Sequence, residues 1–309
     1  MSEKTYTFRT VAACEMCGSE RSRTLGMRLD ASQGSRPRAA TGIAVSVKQC
    51  LDCGLIYADP QPIPQALSDH YGIPADEYWS PEAFDWSPAY FAAEIEAAKR
   101  LLPFADGMTA LDIGAGLGKA MRSLTNAGFD TWGIEPSLPF FERAAEQVDP
   151  VRLQIAAIED AEFPEASFDF ITFGAVLEHI YAPSLALRKA LGWLKPGGII
   201  QVEVPSSGHL ISKIANAYFR LRGTSFVTHI SPMHAPFHLY EFGLASFERN
   251  GQINGYEIAD HSFQVCSIYH VPKILHGPLR WWMERTDTGM QLSVYLRKLG
   301  NSRPAHPLG

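Results

Sequence analysis

The chain of 309 residues has no block of basic residues: 27 lysines and arginines stand against 33 acids, for a formal net charge of −6. An electrostatic footprint for nucleic acid is therefore missing, and a small or neutral partner is expected. The opening stretch, Met1 to Arg9, lacks the apolar core of a secretion signal. A membrane span is lacking too: the one long uncharged run, Gly223 to Tyr240, contains Pro232, Pro236 and three histidines. These absences predict a cytoplasmic protein. Internal repeats and low-complexity tracts are also absent. Apolar material is abundant, with 46% hydrophobic residues against 19% charged, which excludes a disordered chain. At roughly 150 residues per domain, the length suggests one large domain and an accessory unit.

Cysteine is scarce, five residues in all, but four fall in two pairs, Cys14-Glu-Met-Cys17 and Cys50-Leu-Asp-Cys53, each followed by glycine, Gly18 and Gly54. Two cysteines two residues apart put both thiolates on one tight turn, and the glycine tolerates the left-handed conformation that the turn requires. Two such turns supply four sulfurs for tetrahedral zinc. The stretch between them is longer than usual, and Ser32 to Thr41 reads as a loop that absorbs the excess at little entropic cost. Buried free thiols or a redox pair are the alternatives, while disulfides suit a reducing compartment poorly. A closed set of four cysteines leaves no position for substrate, so this zinc is expected to be structural. Cys266, in an apolar-flanked run, reads as a core thiol.

The expected organisation is a zinc-knuckle module over 1–60, an aromatic linker or lid with a helix over 61–105, and an α/β domain over 106–309 with insertions near 206–238 and 270–288. The linker carries Tyr71, Tyr78, Trp79, Phe84, Trp86, Tyr90 and Phe91. These aromatics either pack the module against the main domain or cover a ligand site. Ala89 to Leu102 reads as an amphipathic helix. Strand-like runs follow at Met108–Ile113, Thr131–Ile134, Val151–Ile155, Phe168–Phe173 and Ile199–Val204. They alternate with helices ending at Asn126 and spanning Pro139–Gln147 and Leu185–Leu194. Gly255–Val265 and Gln291–Arg297 read as closing strands, and Leu210–Leu221 and Pro272–Arg285 as helical insertions. Such alternation predicts a doubly wound, mostly parallel Rossmann-like sheet with an antiparallel closing strand.

The central signal is Leu111-Asp112-Ile113-Gly114-Ala115-Gly116-Leu117-Gly118, where a strand gives way to a helix. Side chains at these glycines would block the turn or the approach of a ligand to the backbone, so a nucleoside-containing cofactor is expected. Glu135 follows the next strand, about 20 residues on, where a carboxylate can accept from both ribose hydroxyls. A dinucleotide fingerprint would need its third glycine at position 119, which is Lys119. The third glycine is Gly118.

The run Asp-x-Gly-x-Gly-x-Gly resembles motif I of class I S-adenosylmethionine-dependent methyltransferases, and the resemblance extends from Ala110 to Arg297. Glu135 matches that family's ribose-binding acid, with Pro136 beside it. Glu159 to Pro164 and Ser167 to Asp169 resemble the segment over the adenine. The family often has an aspartate there. Here that position is Ala157, so the Ile158 backbone and Glu159 take its place. Val176-Leu-Glu-His179, after Gly174, resembles the segment following the fourth strand, and Leu194-Lys-Pro-Gly-Gly198 the turn before the fifth. The resemblance implies S-adenosylmethionine binding by Asp112, Gly114, Ala115, Gly116, Gly118, Glu135, Pro136, Ile158, Glu159 and Gly174. The cysteine module ahead of such a domain is similar to that of sugar C-methyltransferases and their relatives in polysaccharide and natural-product biosynthesis. In those enzymes a Tyr-x-Glu-His stretch supplies acid and base. The comparable run here, Ala235-Pro-Phe-His238, keeps only the histidine.

The expected reaction is methyl transfer to a small-molecule acceptor at oxygen or carbon. His238 and His179 are the candidate bases, and His209, His229 and His234 weaker ones, because neutral imidazole takes a proton near pH 7. Tyr218 and Phe219, with Tyr78 and Trp79, are candidates to close over a partly apolar acceptor. A nicotinamide-dependent oxidoreductase is the alternative reading, as is a binding protein whose nucleotide domain is vestigial.

Overall fold

A computed structural model describes residues 6–28, 43–65, 85–230, 237–266, 268 and 271–300. Five short strands come first: β1 (Tyr6–Arg9), β2 (Ser22–Arg28), β3 (Val45–Cys50), β4 (Ile56–Asp59) and β5 (Gln61–Pro64). β2, β3 and β4 form an antiparallel meander, and β1 pairs with β5. The meander gains a fourth strand from far along the chain, β11 (Tyr240–Glu241), which runs antiparallel to β4. Ser32 to Thr41, Tyr71, Tyr78, Trp79, Phe84 and His234 lie outside the described residues.

Helix α1 (Ala92–Leu101) leads into β6 (Thr109–Ile113), α2 (Lys119–Asn126), β7 (Asp130–Ile134), α3 (Leu138–Ala145) and β8 (Leu153–Gln154). Then come β9 (Phe168–Gly174), α4 (Pro183–Trp193), β10 (Leu194–Pro205), α5 (Leu210–Leu221), β11, α6 (Leu244–Asn254), β12 (Tyr256–Gln264), α7 (His276–Thr286) and β13 (Gln291–Lys298). The main sheet has seven strands in the order β12-β13-β10-β9-β6-β7-β8. β10, β9, β6, β7 and β8 are parallel, and β13 runs antiparallel to both β10 and β12. This is the predicted Rossmann-like arrangement. Strands sandwiched between helices are buried on both faces and read as unbroken apolar runs; Leu111, Phe170, Ile171 and Val202 are fully buried.

Three local expectations are adjusted. Val151–Ile155 yields only the two-residue β8, because Asp149 accepts from the Val151 N–H at 3.0 Å and caps a 3-10 turn at Pro150–Arg152. The Lys195–Gly198 turn is instead a bulge inside β10, where the register slips between Leu194 and Ile199. Cys266 is half-buried and donates to Gln291 Oε1 at 3.1 Å.

One hydrophobic core runs through both parts of the chain, joining Val11, Met16, Val45 and Tyr57 to Leu111, Phe173, Val202 and Phe242. Asn250 of α6 donates to the Met16 carbonyl at 2.8 Å, fastening α6 to the first cysteine loop. Among the described residues, no helix is long and apolar enough to cross a membrane.

Candidate functional site

Strand order reverses between β6 and β9, and ligands of open α/β sheets bind in the crevice beyond the carboxyl ends of such strands. The glycine loop sits there. Gly114, with φ 71°, lies so close to Val176 that an added Cβ would come within 2.5 Å of its side chain. The loop is tied to the end of β7: the Gly114 and Ala115 N–H groups donate to the Ile134 carbonyl at 2.9 and 3.0 Å. The Glu135 carboxylate accepts from Gly116 N–H at 2.7 Å and from Ser137 N–H at 2.8 Å. Burial pushes the Glu135 carboxyl up to about 7 although those N–H groups pull it down. Asp112, buried at the end of β6, is likewise raised to about 7, first by burial and then by the charge of Glu135.

Next to the loop lies a cavity of about 280 Å³, lined by Gly114, Pro136, Ile158, Glu159 and His179 among the expected residues. Ile113, Ile134, Ala156, Ala157, Asp160 and Val176 also line it. Asp112, Ala115, Gly116, Glu135 and Gly174 are not part of its lining, and Gly118 lines a separate, smaller cavity of about 110 Å³ with Trp86 and Lys119. Sequence reasoning missed Ile63 and Pro64 of β5 and Ile180 and Tyr181 after β9, which form another wall. The prolines of Asp59 to Pro64 carry no periodic signal that would have placed them there. Tyr218 and Phe219 lie on α5 and are not among the lining residues. Tyr218 is 54% exposed, and Phe219 packs edge-on against Phe226, ring centres 4.7 Å apart.

Trp86 and Tyr90, just before α1, pack over the helix that follows the glycine loop. Trp86 Nε1 donates to Ser123 Oγ at 3.0 Å, with the Arg122 guanidinium 4.2 Å from its ring centre. The Lys119 ammonium stands 4.4 Å from the Tyr90 ring centre.

The two expected bases meet. The His179 and His238 ring centres are 4.7 Å apart at 77°. Glu178, which sequence reasoning passed over, is 1% exposed and is pushed up to about 8, first by burial and then by Glu203. His229 and His209 belong elsewhere. His229 Nδ1 lies 2.5 Å from Glu241 Oε2, and His209 Nδ1 lies 3.0 Å from Ser212 Oγ.

The four paired cysteines converge, with Cys14 and Cys53 Sγ atoms 3.5 Å apart and Cys17 and Cys50 Sγ atoms 3.6 Å apart. Gly18 and Gly54 take φ values of 73° and 75°, as the knuckle turns require. Four thiolates about 2.3 Å from one tetrahedral ion lie roughly 3.8 Å from one another, so the donor set fits zinc.

A family model described as a methyltransferase domain matches residues 89–240, from the approach to α1 through the first residue of β11. The chain is 34% identical over 100 residues to the 2-methyl-6-phytyl-1,4-hydroquinone methyltransferase of Synechocystis sp., covering 31% of each protein. It is 28% identical over 143 residues to the ubiquinone biosynthesis O-methyltransferase of Bordetella avium, covering 44% of this chain and 59% of that protein. The chain thus spans about a third to three-fifths of the length of these curated relatives. A crystal structure of an S-adenosylmethionine-dependent methyltransferase from Mesorhizobium loti aligns with a TM-score of 0.47 at 16% identity, over 67% of this chain and 98% of that one. Residues 89–240 are a methyltransferase domain.

Proposed function

We propose that this protein transfers the methyl group of S-adenosylmethionine to a small-molecule acceptor at oxygen or carbon. The observation that carries the reading is the glycine loop bonded through Gly116 to a buried Glu135 at the switch point of the sheet. Glu135 is assigned the ribose hydroxyls. Pro136, Ile158 and Glu159 are assigned the adenine, and Asp112, Gly114, Ala115, Gly116, Gly118 and Gly174 the amino-acid part of the cofactor.

The sulfonium already makes the methyl electrophilic, so the protein's task is to align the acceptor and exclude water. The acceptor must also shed a proton, and His179 and His238, whose ring centres lie 4.7 Å apart, are assigned to promote that loss. The two curated relatives act, by their names, on quinone-type rings, which favours a hydroxylated ring over a sugar. Cys14, Cys17, Cys50 and Cys53 are assigned a structural zinc, which in a closed thiolate set supplies folding energy and no chemistry.

Titration calorimetry with S-adenosylmethionine, S-adenosylhomocysteine and NADH tests the reading. The first two are expected to bind. Binding of NADH alone would point to the oxidoreductase instead, and a screen of hydroxylated rings and sugars that reads out S-adenosylhomocysteine would identify the acceptor.

A further inference from the structure

A second convergence of metal-binding atoms lies at the edge of the cofactor cavity, apart from the four cysteines. Glu178 and His179 end the 3-10 turn Leu177–His179 after β9, and His238 lies just before β11. One ligand atom from each of Glu178, His179 and His238 lies within 4.8 Å of the others.

Two hydrogen bonds hold the two segments together. Leu239 N–H donates to the Glu178 carbonyl at 2.8 Å, and His179 Nδ1–H donates to the Phe237 carbonyl at 2.9 Å. The second bond also sets the tautomer. A carbonyl only accepts, so Nδ1 carries the proton and Nε2 carries the lone pair, the usual outer-shell arrangement of a metal-binding histidine. The observed ring-centre separation of 4.7 Å fits a shared ion, since two imidazoles on one metal at about 2.1 Å stand roughly 4.5–5 Å apart.

Glu178 supplies an independent indication. Its Oε2 is buried and has no hydrogen-bond partner, and an orphaned carboxylate oxygen in the interior is costly unless something positive meets it.

We infer that Glu178, His179 and His238 bind a divalent first-row transition-metal ion. Two imidazoles and a carboxylate suit such an ion better than magnesium or calcium, which prefer all-oxygen shells. Three protein ligands leave coordination positions open, unlike the four-cysteine set. Resting on the methyl-transfer reading, the ion gives the site an acceptor class: a hydroxyl bound at an open position. Coordination lowers the hydroxyl's pKa, and its proton leaves to solvent instead of to an imidazole that is now a ligand. The oxygen then attacks the methyl carbon. The C–O bond forms as the S–CH3 bond breaks, and the sulfonium becomes a neutral thioether.

The test is titration of the zinc-loaded, 309-residue protein with Mn2+, followed by electron paramagnetic resonance, together with metal analysis of the protein as purified. Wild type is expected to bind one Mn2+, or to carry one metal ion beyond the cysteine-bound zinc. Glu178→Gln and His238→Ala should each weaken that binding about tenfold or more while leaving the affinity for S-adenosylmethionine intact. A wild type that binds no Mn2+ and carries no second ion overturns the inference, as does binding that neither variant alters. Should either variant misfold, the other and the wild-type metal count still decide. Intact Mn2+ binding without any affinity for S-adenosylmethionine would sink the methyl-transfer reading and leave the metal site standing.

Discussion

The hydroxyl of Tyr181 donates to the carbonyl of Pro62 at 2.6 Å, tying the amino-terminal strands to the wall of the cavity beside the glycine loop. Arg9 and the Tyr240 hydroxyl both reach the Tyr181 carbonyl at 2.8 Å. Ile63 and Pro64 line that same cavity. The strands that carry Arg9 and Pro62 therefore brace this wall, and under the zinc assignment, loss of metal from the neighbouring cysteine loops should be felt there.

Replacing one zinc ligand, as in Cys53→Ser, should abolish stoichiometric zinc and lower the thermal midpoint. A loss of about 3 kcal/mol moves the midpoint by roughly 6–12 °C in a domain of 150–250 residues. Affinity for S-adenosylmethionine should fall as well, because the wall around Ile63 and Tyr181 loosens. Metal analysis, thermal unfolding and calorimetry on the same preparation check all three. A zinc-free variant with a wild-type midpoint would show that the thiols merely pack.

Glu135→Ala is expected to weaken S-adenosylmethionine binding roughly ten- to hundredfold, the range for hydrogen bonds to a charged group. Glu135→Gln keeps an acceptor oxygen and should lose less. Equal affinity of both variants and the wild type would remove Glu135 from the cofactor site.

The cofactor-free protein should become less stable as pH rises. Asp112 has an ordinary value of 3.8 and Glu135 of 4.5, and both are raised to about 7 in the folded state. A carboxyl raised on folding contributes its full stability below the unfolded value, and that contribution disappears as pH climbs through the folded value. The loss should therefore span about pH 4 to 7. Denaturant midpoints across that range, for wild type and Asp112→Asn, measure it. The substitution should flatten the slope, and an unchanged slope would contradict the prediction.

The parallel half of the fold was legible because β6, β9 and β10 are buried on both faces and read as apolar runs, and because glycine is demanded where backbone must turn near a ligand. Glu135 followed from its place after the next strand. Pairings made across long separations were not legible. Tyr240 and Glu241 become a strand only by joining β4, and Glu178 meets His238 only because Leu239 bonds back to the turn after β9. Ile63 and Pro64 enter the cavity wall through tertiary packing that leaves no periodic trace.

Two adjacent aromatics on α5, Tyr218 and Phe219, allow an experiment to tell an acceptor-facing surface from ordinary packing. Tyr218 is 54% exposed; truncating an exposed side chain usually changes stability by no more than about 0.5 kcal/mol. Phe219 packs on Phe226, which bridges to Met27 of β2 and stacks beneath Arg28. Phe219→Ala should therefore cost about 1–3 kcal/mol by loosening the contact between α5 and the amino-terminal meander. If the acceptor docks on this face, Tyr218→Ala should raise the acceptor's KM with the thermal midpoint and S-adenosylmethionine affinity unchanged, whereas Phe219→Ala should lower the midpoint as well. Steady-state kinetics and thermal unfolding on the two single variants give the answer. A Tyr218→Ala protein with wild-type KM would place the acceptor away from α5, leaving the wall of Ile63, Ile180 and Tyr181 to select it.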